Sequence, residues 1–383
     1  MNDRKIVFVN QATGYLTIDI INEFAKEFHE TVLITGSIRV QDIPLDPKVK
    51  ISWITLYKRN SNFQKLKSWL LGTIRIYFQL LFKYRNHEIF YITIPPSAYL
   101  LSLFFKNKFS LLVFDVYPDV LKIFKIGESS LLYRSWVKWN KKLFARAHRL
   151  YTIGTGMKVL LSKYIESNKI DLIPLWSGLT KIHPIEKSDN IFIKQNKIEG
   201  KFIVQYSGNI GATHNIEILV KIASEMTQYE NILFLIIGRG DGYKNIASLI
   251  EKNELKNCML LPFQPDDMLN YSLAAADLGV VILDDKVAHA SMPSKIYNMQ
   301  AVGVPLLAIS DLKSEVNTHI EKYQIGKCFT ENNFTGIKDF IIECESDQAL
   351  LESYKKAAKL AAKEFTIHNA KKYLDLYVSQ NQN

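Results

Sequence analysis

Twice along this chain, short apolar runs of strand character alternate with helical stretches, and that alternation leaves few folds open. Parallel strands joined by helices must have both sheet faces covered, which is the doubly wound α/β arrangement. In the first series, strand-like runs fall at 5–9, 32–35, 51–55, 89–94, 110–116, 150–153 and 171–175. Helical stretches begin near Leu16 and span 62–85, 131–148 and 157–165. A polar segment with Pro184 and no clear period follows. The series then restarts with strands at 202–206, 232–237, 259–261, 278–283 and 304–309. Helices are expected from about Asn215, after Tyr243, after Pro265 and after Pro293, and the chain is mostly helical from about Phe334. The expected division is a first Rossmann-like domain at 1–175, a linker at 176–200, a second such domain at 201–365, and a helix at 366–383 that crosses back onto the first. A cleft between the domains is expected.

Of the 383 residues, 48% are apolar, so two domains can each bury a core. Cys258, Cys328 and Cys344 have no metal-ligand spacing and form no disulfide framework, which fits a reducing, cytosolic compartment. Met1 leads directly into the first strand pattern, with no signal peptide, and no apolar run reaches the roughly 18 residues of a membrane span. Positive charge is concentrated early: residues 1–190 hold 28 Lys/Arg and 15 Asp/Glu, against 20 and 23 in the remainder. A basic first half can face nucleic acid or an anionic membrane. No nucleic-acid recognition motif accompanies it, so no nucleic-acid partner is expected.

The stretch 289–307 combines a loop, a helix start at Pro293-Ser294-Lys295, an apolar side of Ile296, Tyr297, Met299 and Val302, and a stop at Gly303 with Pro305 beyond. Free N–H groups at that helix start, the helix dipole and Lys295 would together suit a phosphate or diphosphate. The alternative is an ordinary βαβ unit with a surface lysine. Ligands of open α/β sheets bind beyond the carboxyl ends of strands. At such ends lie Ser207-Gly208-Asn209-Ile210-Gly211, then Gly238-Arg239-Gly240, then Phe263-Gln264-Pro265. Gly208 and Gly211 would allow close backbone approach, Arg239 could reach a phosphate, and backbone at Phe263-Gln264 could read a nucleobase edge. Each of these taken singly also reads as a tight turn; their recurrence on one domain points to a nucleotide.

The second half resembles the donor-binding domain of the family-4 glycosyltransferases, which have the GT-B fold. Tyr206-Ser-Gly-Asn-Ile-Gly211, Ile237-Gly-Arg-Gly240, Ala274-Ala-Ala-Asp277, Pro293-Ser-Lys-Ile-Tyr297 and Gly303-Val-Pro305 carry the resemblance, which spans about 1–330. Asp115-Val-Tyr-Pro-Asp119 and Gly156-Met157 fit the branch that builds bacterial surface polysaccharides, the colanic-acid and N-acetylfucosamine transferases. The resemblance implies sugar transfer from a nucleotide diphosphate, UDP or GDP, with retention of configuration. Where many members carry Glu-x7-Glu, this chain has Ala290 and Asn298. Asn298 can still hydrogen-bond a ribose as a neutral group. Where many carry an Arg and a Lys after the first strand of this domain, Asn209 and His214 stand nearby. Lys295 and Arg239 are then the main cations for the diphosphate, with Ser207, Gly208, Gly211, Gly238, Phe263, Gln264 and Ser294 around the donor.

For the acceptor, Asp115 and Asp119 follow a strand of the first domain. Asp115 is the first choice for contact with the acceptor hydroxyl; its other reading is a cap on the next turn. Gly14 marks the acceptor loop. His289 reads either as an approach to the donor sugar or as an exposed loop residue. Asp266-Asp267 and Asp284-Asp285 resemble metal-binding pairs only superficially, and no catalytic metal or other cofactor is expected. The helical stretch 62–85 reads either as core with snorkelling cations or as an interfacial segment on anionic lipid, and the basic, Trp-containing stretch 131–148 favours the latter. The expected protein is a cytoplasmic glycosyltransferase, peripheral on the inner membrane face, acting on a lipid-linked or oligosaccharide acceptor. The rival expectation is a non-catalytic glycosyltransferase-like subunit that stabilises a partner enzyme.

Overall fold

The computed structural model describes residues 3–58, 61–124, 126–177, 182–211, 215–284 and 292–379. It divides into two compact units, Met1–Gly178 with Ile367–Asn383, and Leu179–Thr366.

In the first unit seven strands are described: β1 Lys5–Val9, β2 Glu30–Thr35, β3 Lys50–Trp53, β4 Glu88–Ile92, β5 Phe109–Val113, β6 Arg149–Thr152 and β7 Ile170–Leu172. All pair in parallel, in the order β3-β2-β1-β4-β5-β6-β7. The inner strands read as largely apolar runs because both their faces are covered, and all five residues of β5 are buried, whereas the edge strand β3 is mostly exposed. Helix α1, Tyr15–Glu27, buries Ile18, Ile21, Phe24 and Ala25 at helical spacing. Helix α2, Asn62–Phe82, starts at Ser61, whose hydroxyl accepts from the Gln64 amide. Helix α3, Leu131–Arg146, starts at Ser130 in the same way, and α4 spans Thr155–Leu161.

The second unit repeats the design. Its helices and strands are α5 Ile191–Asn196, β8 Phe202–Asn209, α6 Glu217–Ser224, β9 Ile232–Arg239, α7 Tyr243–Lys252, β10 Cys258–Pro262, α8 Leu269–Ala274, β11 Leu278–Ile282, α9 Lys295–Ala301, β12 Leu306–Ile309, α10 Glu315–Tyr323, β13 Gly326–Phe329, α11 Phe334–Ser346 and α12 Gln348–Ala362. The strand order β10-β9-β8-β11-β12-β13 is again that of a Rossmann sheet. Val204, Tyr206, Phe234 and Ile236 face one core layer, whereas Ile203, Leu233, Leu235 and Ile237 face the other.

Part of the expected linker belongs to this second layer. Helix α5 buries Phe192 and Ile193 against Ile203, Leu235 and Ile237, and Asn190 caps it by accepting from the Phe192 and Ile193 amides. Six residues with two apolar anchors give no readable period, which is why the segment looks like a connection in sequence. Asp277, the acid of the Ala-Ala-Ala-Asp run, fixes the same region: its carboxylate accepts from the Ile203 amide at 2.7 Å and from Lys187.

After Thr366 the chain re-enters the first unit as α13, His368–Ser379. Tyr377 is fully buried, packs edge-on against Phe24 at 5.2 Å, and donates its hydroxyl to Glu88 at 2.6 Å. The Tyr151 hydroxyl donates to the Tyr373 carbonyl at 2.9 Å. Phe8, Phe90 and Tyr151 continue this aromatic stack through the sheet.

Asp19 on α1 is buried with the indole of Trp176 donating to it at 2.9 Å. Burial outweighs that hydrogen bond and lifts its pKa to about 6, from an ordinary 3.8. A carboxyl raised in the folded state favours the fold at low pH, and this advantage is lost as pH rises from about 4 through about 6. Asp19→Asn is therefore expected to raise stability at pH 7 by about 1–3 kcal/mol and to flatten its dependence between pH 4 and 6. Denaturant titrations at several pH values read this out; an unchanged pH profile would exclude Asp19 as its source.

Candidate active site

The carboxyl ends of β8 and β9 are held closer than ordinary residues permit. Strand β8 does not stop at Tyr206 but runs on to Asn209, which puts Gly208 opposite Gly238 and Asn209 opposite Arg239. A Cβ on Gly238 would lie 2.2 Å from the Gly208 carbonyl oxygen. One on Gly240, where φ is 144°, would lie 2.3 Å from the Ile210 carbonyl oxygen. Neighbouring backbone requires these two positions to be glycine. Gly208 differs: the atom nearest an added Cβ is Lys295 Nζ, at 3.1 Å.

Lys295 opens α9, and its Nζ lies 4.0 Å from the centre of the Tyr206 ring. The ring is fixed by its own hydroxyl, which donates to the Asn209 carbonyl at 2.7 Å. Nζ is shielded from solvent and has no hydrogen-bond partner among the described residues. The residue as a whole is half-buried; its exposed surface belongs to other atoms, so the ammonium itself is the buried part. Burial pulls its pKa down to about 7. The amides expected to be free beside it are partly used, because α9 begins with a tight turn. Ile296 N–H donates to the Pro293 carbonyl at 3.2 Å and Tyr297 N–H to Ser294 at 3.1 Å. The anion-attracting feature here is thus the buried ammonium more than the helix start.

Other candidates gather less tightly. The Arg239 guanidinium stacks 4.9 Å over the half-exposed Phe263 ring, and Gln264 donates to the Pro262 carbonyl at 2.8 Å. Ser207, Ser294 and Asn298 are half-buried, and Ser294 makes no side-chain cap. A Cβ on Gly211 would crowd the Asn209 amide nitrogen at 2.7 Å. A cavity of about 480 Å³ opens here, lined by Gly211, Asn215, Glu217, Asp241, Gly242 and Asp284. No group of three or more potential ligands for a metal occurs among the described residues. His289, Ala290, His214 and Asp285 lie outside the described residues. Tyr206 was not singled out as a site residue; in sequence it is one more aromatic in a buried strand, and only the fold reveals it beneath the lysine.

In the first unit, Gly14 precedes α1, and an added Cβ there would meet nothing within 4 Å. Asp115 follows β5 and is exposed to water, yet the protein around it crowds the carboxyl enough to raise its pKa; the Lys65 ammonium pulls the other way. Its open side limits that rise. Lys65 lies 4.9 Å from the Trp69 ring, which is stacked with Tyr57 and meets Tyr117 edge-on. Asp119 is committed elsewhere. It accepts hydrogen bonds from the Tyr133 and Tyr164 hydroxyls, with Lys122 at 3.4 Å, so its role is to clamp α3 to the segment after α4.

Two parallel Rossmann-like sheets in one chain define the GT-B class of fold. Anabaena HepE, solved in complex with UDP and glucose, superposes with a TM-score of 0.73 at 13% identity, over 97% of this chain and 98% of that one. WaaG, a glycosyltransferase involved in lipopolysaccharide biosynthesis, does so with 0.69 at 15% identity, over 98% and 100%. Residues 187–361 match the family described as Glycosyl transferases group 1. The Pseudomonas aeruginosa protein named as a probable glycosyltransferase, WbjE, is 25% identical over 363 residues, 89% of this chain and 88% of its own length. A protein named for colanic acid biosynthesis, WcaI of Escherichia coli (strain K12), is 26% identical over 220 residues, 56% of this chain and 51% of its own length. This chain is a glycosyltransferase with a group 1 domain.

A lysine depressed to about pH 7 opposes folding most fully at and below that pH, and the penalty fades as pH rises toward 10.5. Lys295→Met is expected to raise the melting temperature of nucleotide-free protein at pH 7 by roughly 2–5 °C. The same change should abolish the further rise caused by UDP or GDP. Thermal melts at pH 7 and pH 10 check both effects, and a variant that keeps its nucleotide response would remove Lys295 from the site. Gly238→Ala should destabilise by about 1–3 kcal/mol, because the clash is with backbone.

Proposed function

We propose that the chain transfers a sugar from a nucleotide diphosphate donor to a growing or lipid-linked surface-polysaccharide acceptor, with retention of configuration. The observation that carries this reading is the buried Lys295 ammonium, without a hydrogen-bond partner among the described residues, beside the glycine-bearing ends of β8 and β9. A charge held away from water attracts a diphosphate far more strongly than a surface lysine would. As the bond from the sugar to the diphosphate breaks, the leaving oxygen keeps the electron pair, and Lys295 meets the charge that develops. The acceptor hydroxyl, oriented by Asp115, forms the new bond to the sugar carbon as its proton passes to the Asp115 carboxylate, which crowding makes more basic. Because Lys295 titrates near neutrality, donor binding is coupled to proton uptake and weakens as pH rises above 7.

The acceptor is read as presented at an anionic membrane surface on the cytoplasmic side. Helix α2 supports this by turning Leu66, Leu70, Ile74, Phe78 and Phe82 outward, while Gly72, Ile76 and Leu80 face the core. No helix among the described residues is long and apolar enough to cross a membrane, so contact would be peripheral.

Transfer of radiolabelled sugar by purified protein, with UDP- and GDP-sugars as donors and lipid-linked oligosaccharide as acceptor, tests the reading. Turnover should survive excess chelator; loss in EDTA with recovery on added magnesium would give the diphosphate to a metal. Asp115→Asn is expected to cut turnover by roughly 100-fold or more. It should leave nucleotide-induced stabilisation intact and remove the acid limb of the pH–rate profile. A folded Asp115→Asn protein with normal turnover would return this residue to a local turn role.

A further inference from the structure

The first unit holds a second basic site at the opposite end of its sheet from Asp115. A cavity of about 710 Å³ lies where β4 and β5 begin, walled by Tyr77, His87, Glu88, Phe105 and the cations Arg85, Lys106 and Lys108. Its one acid is already engaged: Glu88 binds the Arg4 guanidinium at 2.6 and 2.9 Å and accepts the Tyr377 hydroxyl, with Lys108 at 3.4 Å. Arg85 and Lys106 are exposed and have no carboxylate partner among the described residues. The turn that presents them is braced, since Asn107 donates to the Arg85 and His87 carbonyls at 2.9 and 2.7 Å. His87 is only 8% exposed, and its Nδ1 has no hydrogen-bond partner among the described residues.

The rim of this cavity is apolar. Phe104 is 75% exposed and Phe82 is 74% exposed. Phe82 stacks on Phe78, Phe78 meets Tyr77, and Tyr77 meets Phe105, so an aromatic path joins the outward face of α2 to the cavity wall. From residue 47 to residue 87 the chain carries nine Lys/Arg and no Asp/Glu. Cations grouped around a recess select an anion, and bare aromatic rings beside them select one joined to an apolar body.

We propose that this cavity binds the phosphate of an anionic lipid headgroup, with Arg85, Lys106 and Lys108 on the phosphate and Phe78, Phe82 and Phe104 among the acyl chains. The site rests on the membrane contact proposed above, and the experiment separates the two. A phosphomonoester carries more charge than a phosphodiester and fits a cluster of cations better, so the site should rank phosphatidic acid above phosphatidylglycerol.

Sedimentation with phosphatidylcholine vesicles containing either anionic lipid, adjusted to equal surface potential, tests this with the full chain. The protein should bind phosphatidic acid vesicles about 5- to 10-fold more tightly than phosphatidylglycerol vesicles. Arg85→Gln with Lys106→Gln should erase that preference yet keep binding to both, while Phe78→Ser with Phe82→Ser should weaken binding to every vesicle. Both pairs are surface positions, and circular dichroism checks that they fold. If the Arg85/Lys106 variant keeps the wild-type preference, the headgroup site is wrong and membrane contact stands. If the Phe78/Phe82 variant binds like wild type, or the protein ignores all vesicles, membrane contact through α2 fails and the lipid site with it. If glycerol 3-phosphate alone raises the melting temperature of wild type but not of the Arg85/Lys106 variant, and vesicles are ignored, the cavity takes a soluble phosphate ester and the lipid assignment is overturned.

Discussion

A parallel sheet has two faces to bury and cannot leave either to water, and this requirement governs both units. It fixes the unbroken apolar strands, since alternation would put polar groups into one of the two cores. It demands a crossover after each strand, so every strand of a sheet points the same way and the loops at its carboxyl end converge. It also explains the recruitment of α5, a six-residue helix from a polar segment, to cover the face formed by Ile203, Leu235 and Ile237. The Lys295–Tyr206 pair is a by-product of the same geometry: one residue lies toward the carboxyl end of a central strand, and the other begins the helix after its neighbour.

How much of this could be read in the amino acids depends on the distance over which each feature is determined. The strands were legible because their apolar runs are local, and β4, β5 and β6 lie within two or three residues of expectation. Lys295 was legible because Pro293 before it and Gly303 after it mark the ends of a helix. The glycines were legible as special positions but not for their reason, because the atom that excludes a Cβ at Gly238 lies on a strand 30 residues earlier. The hydrogen bonds of Asp119 were hidden for a similar reason: its partners Tyr133 and Tyr164 sit 14 and 45 residues away. The two readings of α2 could not be separated in sequence because each predicts apolar residues and cations on one long helix. The 21-residue helix carries an apolar stripe on each side, and only one meets the core.

Positive charge serves two different physical ends in this molecule. Around α2 the cations are solvated and many, with little local acid to neutralise them. Their effect is a long-range field that salt screens within about 10 Å at 0.1 M ionic strength. Lys295 is a single charge removed from water, costly to hold and short in reach, and its attraction for an anion resists screening. The first arrangement suits an extended surface and the second a small group at a defined point. Burying Lys295 lowers the stability of the unliganded fold, so any anion that restores its proton also tightens the unit around it.

The return of α13 to the first unit bears on how the protein is made. Phe24 and Phe90 have Tyr377 as a neighbour in their core, and Glu88 takes a hydrogen bond from it, but the ribosome delivers Tyr377 only after all of Leu179–Thr366. At a translation rate of about 5–20 residues per second, that interval lasts roughly 10–40 s. During it the amino-terminal sheet stands with part of its aromatic core uncovered, while the carboxyl-terminal unit has its whole sequence available and can finish folding. The unit synthesised first is therefore the one completed last, and a nascent chain stalled before His368 presents that open core to chaperones.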